Sequence, residues 1–176
     1  MFLSCPHIWN LQWPRNPEKL AAGDLFVVKD HANISAQSPG IGPNIDEYGP
    51  RFYDISSMYE KRFTQVLQEA VAAAGAKSTY GEVFWVNNSA VPSPVFRQMA
   101  ETLSNEKVCF KGVTKTGISE LMAVHHRASS SPYKLTSAMV GIVTDSVLRR
   151  QVQHPAYVEG VKKLMTVVVE TFKSVA

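Results

Sequence analysis

Cysteine is nearly absent from the sequence. Cys5 and Cys109 stand far apart and without metal-ligand spacing, which speaks against a disulfide-stapled secreted fold and suits a reducing compartment. Long hydrophobic runs are missing, so nothing reaches membrane-spanning length. The opening Met1-Phe2-Leu3-Ser4-Cys5-Pro6 lacks the basic start and apolar stretch of a signal peptide. Runs of like charge are missing too: 18 lysines and arginines against 15 acids leave a formal charge of +3, scattered along the chain, which makes nucleic acid a poor partner. There is no glycine-rich phosphate loop, no G-x-S-x-G elbow and no internal repeat. A cytoplasmic protein without membrane or nucleic-acid partners is expected.

What is present suffices for one domain. A chain of 176 residues with 45% hydrophobic content buries roughly 70% of its unfolded surface on folding. Residues 1–19, with three prolines and two tryptophans, show no clean periodicity and read as an irregular lead-in whose apolar side chains need a surface to lie on. Residues 20–176 read as the structured part. Leu25-Phe26-Val27-Val28 has the form of a buried strand, whereas residues 35–50 are too rich in Ser, Pro, Gly and Asn for a long ordered element. Ser57 and Glu60 have capping-box spacing ahead of Phe63, Val66, Leu67, Ala70, Val71 and Ala74 at helical intervals. Val83-Phe84-Trp85-Val86 predicts a second strand, and Ser93-Pro94 opens a helix using Val95, Phe96, Met99 and Leu103. Val108-Cys109-Phe110 predicts a third strand, and Ile118, Leu121, Met122 and His125 share a helical face after Gly117. Residues 135–144 predict a fourth strand. From Pro155 a long helix should bury Val158, Val161, Leu164, Met165, Val168 and Phe172. This alternation predicts an α/β layered fold with a largely parallel or mixed central sheet flanked by helices.

In such sheets ligands lie beyond the carboxyl ends of the strands, here His31, Asn87, Asn88, Val113, Thr114, Thr144 and Asp145. The adjacent His125 and His126 point different ways on a helix, which does not suit a metal face; they read as packing and solvent.

The run from Gly23-Asp24 through Lys29-Asp30-His31-Ala32-Asn33 and Gly42-Pro43-Asn44 to Gly49-Pro50-Arg51-Phe52-Tyr53-Asp54-Ile55-Ser56 resembles the trimeric class of purine nucleoside phosphorylases. That family carries a Gly-Asp strand, an Asp-His-x-Asn end, a Gly-Pro-Asn loop and an Arg-Phe pair in this order and at nearly this spacing. Thr116-Gly117-Ile118-Ser119-Glu120, Val140 to Asp145 and Gln153-His154 are similar to later family segments. The resemblance implies reversible phosphorolysis: phosphate attacks the ribosyl anomeric carbon and the purine leaves, with negative charge gathering on the base. A donor aimed at the base stabilises that transition state more than the ground state.

By the resemblance, Asp145 stands where the family has an asparagine acting on the purine. A carboxylate only accepts hydrogen bonds, so Asp145 serves a leaving base only when protonated. Methylthioadenosine phosphorylase-like relatives, which take 6-aminopurines, carry aspartate there. The residue alone also reads, with less weight, as a strand end or turn cap. His154 matches a histidine that reaches the nucleoside 5′-hydroxyl, or is simply a histidine ahead of Pro155. Phe52 matches a phenylalanine that covers the neighbouring subunit's nucleoside, or is a core aromatic. Val113 and Thr114 match positions contacting ribose and phosphate, Thr144 precedes Asp145 in the matching strand as a substrate-binding candidate, and Tyr80 matches a base-pocket tyrosine. The implied partners are a purine nucleoside, inorganic phosphate as co-substrate with no further cofactor, and a homotrimer. The family's phosphate-binding N-terminal part has no counterpart, so the chain is expected to be N-terminally truncated and a poor phosphorylase alone. A non-catalytic member that binds nucleosides or joins a full-length relative, and a piece without a stable fold, are the alternatives.

Overall fold

The structure, a computed structural model, describes residues 1–11, 20–86, 94–132, 135–144 and 155–175. Its elements are β1 (Phe2–Ser4), β2 (His7–Asn10), β3 (Leu25–Asn33), α1 (Lys61–Ala73), β4 (Ser78–Trp85), α2 (Pro94–Leu103), β5 (Phe110–Thr114), α3 (Ile118–Ala128), β6 (Ser137–Thr144) and α4 (Pro155–Val175). From β3 onward strand and helix alternate as the apolar pattern predicts. A mixed sheet flanked by helices is therefore the observed architecture.

The sheet runs β1-β6-β2-β5-β4-β3, and β3 pairs back onto β6. Strands β3, β4 and β5 are parallel, β2 lies parallel to β6 and antiparallel to β5, and β6 is antiparallel to β3. Following partners from Asn33 through Trp85, Thr114, Ile8 and Val143 leads to Asp24, the other end of β3. Such a stagger is what closing a small sheet into a barrel requires.

This overturns the reading of the first residues as irregular: Phe2–Ser4 and His7–Asn10 are strands. Each is too short for a visible period, Pro6 divides them, and their partners stand at Ser137 to Thr144 and at Gly112 to Thr114, far along the chain. The third predicted strand also moves, from Val108-Cys109-Phe110 to Phe110–Thr114. The Asn105 carboxamide oxygen accepts from the amides of Lys107 (2.8 Å) and Val108 (3.1 Å), turning the chain just ahead of the strand. Helix α1 starts after Glu60, whose own carboxylate caps the amides of Arg62 and Phe63. The predicted box with Ser57 does not form.

Both faces of the strands are covered. Ile8, Phe26, Val28, Val83, Trp85, Met139 and Val143 fill the inner side, closed by Ile118, Leu121 and Met122 of α3. Gly141 and Gly112 make room for Ile8, since a Cβ there would lie 2.3 and 2.6 Å from its side chain. Outside, Leu25, Val27, Val140 and Ile142 pack under α1 and α4, and Trp9, Phe84 and Val113 under α2. Continuous strand hydrophobicity follows from this two-sided burial.

Two helix faces differ from expectation. In α2 the residues Phe96, Met99 and Ala100 face the core, while Val95 and Leu103 are exposed. In α4 the packed stripe is Tyr157, Val161, Leu164 and Val167, whereas Val158, Met165 and Phe172 look outward. The choice is made by Gly160, whose missing side chain lets α4 lie against Gly23 at the start of β3.

Candidate functional site

The sequence-predicted residues fall into three groups. Val113 of β5 and Thr144 of β6 are brought together. Both are register partners of Trp9 on β2, so Val113, Trp9 and Thr144 form one row across three strands, with side chains on the outer face. All three are buried. Lys115 places its ammonium 4.5 Å from the centroid of the Trp9 ring, a cation–π contact, and burial lowers its pKa. Below this row the His7 imidazole and the Tyr157 hydroxyl meet at 2.9 Å, tying β2 to the first turn of α4.

Thr114, one residue on, faces the other way. Its hydroxyl lies 3.0 Å from the carbonyls of both His7 and Thr116, so its single proton is committed to backbone acceptors. It retains lone pairs but no free donor.

Tyr80 is remote. It sits in the first half of β4 opposite Val27, five residues before Trp85, or about 17 Å from the strand end at ~3.3 Å per residue. It is part-exposed near Lys29 and Glu82, which pair at 2.7 Å, and partial burial raises its pKa.

Phe52 belongs to the long segment between β3 and α1 and is 91% exposed. With Tyr53, Asp54, His125, Leu135 and Thr136 it lines a hollow of about 630 Å³, and Tyr48, Tyr53 and His126 line a second of about 410 Å³. Both are within the usual size of small-molecule sites. The segment carrying Phe52 is held by α3. His125 Nε2 donates to the Asp54 carbonyl at 2.8 Å and His126 Nε2 to the Pro50 carbonyl at 2.9 Å, Arg127 reaches the Glu47 carbonyl, and His126 stacks on Tyr53. Carbonyls only accept, so both histidines carry the proton on Nε2. Sequence reasoning left these histidines to packing and solvent, yet they clamp the loop.

At the carboxyl end of β3, His31 is enclosed by Tyr59 and Trp85, and its Nδ1 lies 3.1 Å from the Tyr59 hydroxyl. Burial lowers the His31 pKa against the opposing pull of Asp30, and burial raises that of Tyr59. A neutral imidazole and a protonated phenol share this bond.

Asp145 and His154, the two residues expected to act on base and 5′-hydroxyl, lie outside the described residues, as do Asn87 and Asn88. Trp9 is the site-row residue that sequence reasoning missed; its signal would have been the alternation of Ile8 and Trp9 once β2 was recognised as a strand. Among the described residues no group of three or more His, Cys, Asp or Glu could hold a metal, and no helix is long and apolar enough to cross a membrane.

No protein-family profile matches the chain. It is 30% identical over 91 residues to purine nucleoside phosphorylase 1 of Geobacillus stearothermophilus, covering 52% of this chain and 33% of that protein. It is 23% identical over 129 residues to purine nucleoside phosphorylase of Anopheles gambiae, covering 70% and 35%. The chain thus spans about a third of the length of these curated relatives. Among solved structures, a mutant adenosine/methylthioadenosine phosphorylase from Schistosoma mansoni in complex with adenine superposes with a TM-score of 0.73 at 14% identity, over 98% of this chain and 62% of that one. The purine nucleoside phosphorylase of the same organism, complexed with a monocyclic inhibitor, gives 0.68 at 18% identity over 94% and 57%. The chain is therefore similar in sequence to part of purine nucleoside phosphorylases, and nearly its whole length shares the fold of part of the nucleoside phosphorylases.

Proposed function

We propose that this chain binds a purine nucleoside beside the Val113–Trp9–Thr144 row and takes part in its reversible phosphorolysis, yielding free base and (deoxy)ribose 1-phosphate. The observation that carries the reading is that row: two positions marked by the phosphorylase resemblance, Val113 and Thr144, share one face of adjoining strands although 31 residues separate them in sequence. In this reading inorganic phosphate attacks the anomeric carbon, the glycosidic bond breaks, and its electron pair leaves with the purine. Asp145, when protonated, donates to the leaving base, which favours a 6-aminopurine and a methylthioadenosine phosphorylase-like preference. His154 holds the 5′-hydroxyl. Phe52, with most of its ring in solvent, covers the nucleoside of a neighbouring copy in a cytoplasmic homotrimer.

Phosphate handling is the weak step. Oxyanions need convergent donors, and the Thr114 hydroxyl already gives its proton to backbone carbonyls. This commitment favours a second reading, binding without efficient turnover, alone or within trimers of a longer relative. Base release from inosine, guanosine and methylthioadenosine, measured with phosphate titrated, separates the two. Phosphate-dependent release above blank supports the enzyme; nucleoside binding without it supports the second reading. Neither binding nor release would refute both.

A further inference from the structure

Two buried polar groups without a partner among the described residues lie side by side on the outer face of the barrel. Trp9 is 6% exposed and Thr144 2%. Among the described residues neither the Trp9 indole Nε1 nor the Thr144 Oγ1 reaches a hydrogen-bond partner. They are register partners in a parallel pair, so their side chains leave the same face of adjoining strands. Native interiors rarely leave such groups unpaired, and each exception asks for an explanation. Trp85 supplies the contrast. Its ring sits on the inner side and its Nε1 donates to the Lys115 carbonyl at 3.3 Å, so its donor is satisfied.

The unpaired couple is set beside aromatic and aliphatic side chains. Trp9 packs with Phe84, Val86, Phe110 and Val113, and the Lys115 ammonium stands over its indole. The couple also lies near the carboxyl ends of β2 and β6, where open α/β layers place their ligands. An indole N–H donates only, whereas a threonine hydroxyl donates or accepts. Together they match the edge of a base on which a ring nitrogen or carbonyl oxygen stands next to a second polar atom of either kind.

We infer that Trp9 and Thr144 form a recognition pair for the purine base, the indole N–H donating to an acceptor on the base and the Thr144 hydroxyl bonding the adjacent polar atom. This rests on the nucleoside reading above and adds Trp9, which that reading does not require as a contact. The hydroxyl of Thr144 accommodates a 6-oxo or a 6-amino substituent, so the pair holds purines without choosing between them.

The test is an indole N–H nuclear magnetic resonance titration of the full chain with hypoxanthine, adenine and inosine, with calorimetry as the measure of affinity. Trp9→Phe keeps an aromatic ring in the core, removes the N–H and assigns its resonance by loss. The inference expects the Trp9 indole proton to move downfield as base is added while that of Trp85 stays in place. It expects Trp9→Phe and Thr144→Val each to weaken base binding roughly tenfold. A Trp9 resonance indifferent to a base that binds by calorimetry assigns the N–H to solvent and overturns the inference, leaving the nucleoside reading intact. Wild-type affinity in the Trp9→Phe chain does the same. Absence of purine binding by the wild-type chain overturns both. Nuclear Overhauser contacts with Phe84 and Val113 assign the Trp9 resonance in the wild-type chain as well, so the titration does not depend on the variant folding.

Discussion

Ile8 owes its place at the centre of the barrel to two glycines that face it. A methyl on Gly141 would lie 2.3 Å from the Ile8 Cδ1, so Gly141→Ala forces the strand or the side chain to move. We expect a loss of about 1–3 kcal/mol in denaturant unfolding. His31 gives a different residue-scale test. Its folded pKa is lowered by burial below the ordinary 6.5, so the folded state binds that proton less readily than the unfolded chain. Its contribution to stability is complete above about pH 6.5 and is lost as pH falls through the lowered value. The melting temperature should fall on acidification through that window, and His31→Asn should flatten the response. By the proposed function, Asp145→Asn should shift cleavage from methylthioadenosine toward inosine, read from the ratio of kcat/KM values. Residue roles were only partly legible in the sequence. Val113 and Thr144 stand out as strand ends and through resemblance, and the fold sets them in one row, whereas the clamping by His125 and His126 could not be seen because its acceptors are carbonyls at Asp54 and Pro50, some 70 positions earlier.

Elements were legible wherever local chemistry decides them. The β-α alternation from Leu25 onward follows from apolar runs and helical spacing, and it holds. Helix α4 shows the limit of periodicity, for it is apolar on two adjoining faces. Spacing alone puts Met165 on the buried side and passes over Val167, whereas in the fold the close approach of Gly160 to Gly23 goes with burial of Val167. Val167→Ala should therefore cost about 1–3 kcal/mol, while Met165→Gln, on the exposed face, should stay within ~0.5 kcal/mol. The same measurement distinguishes the caps of α1. Glu60→Ala should cost about 1 kcal/mol and Ser57→Ala close to nothing, because the amides of Arg62 and Phe63 are held by the Glu60 carboxylate.

Across the whole molecule, closure of the sheet was not legible, because it depends on the shortest strands. β1 and β2 carry too few residues to advertise a period, yet β2 joins β5 to β6 and completes the ring. The segment bearing Phe52 shows the converse. Residues 35–50 ahead of it were expected to be irregular and are, apart from one short turn at Asp46–Tyr48, but α3 holds the segment in place with the Phe52 ring in solvent. Phe52→Ala should leave unfolding free energy within ~0.5 kcal/mol and lower nucleoside affinity, a split visible by pairing denaturant melts with binding titrations; equal affinity would remove the cross-subunit role. The pairing of Phe2 with Ser137 and of Ile8 with Val143 also has a consequence for biosynthesis. β1 has no strand partner until β6 has followed it out, and β2 gains its second only then, so the ring stays open while the residues between them are being made.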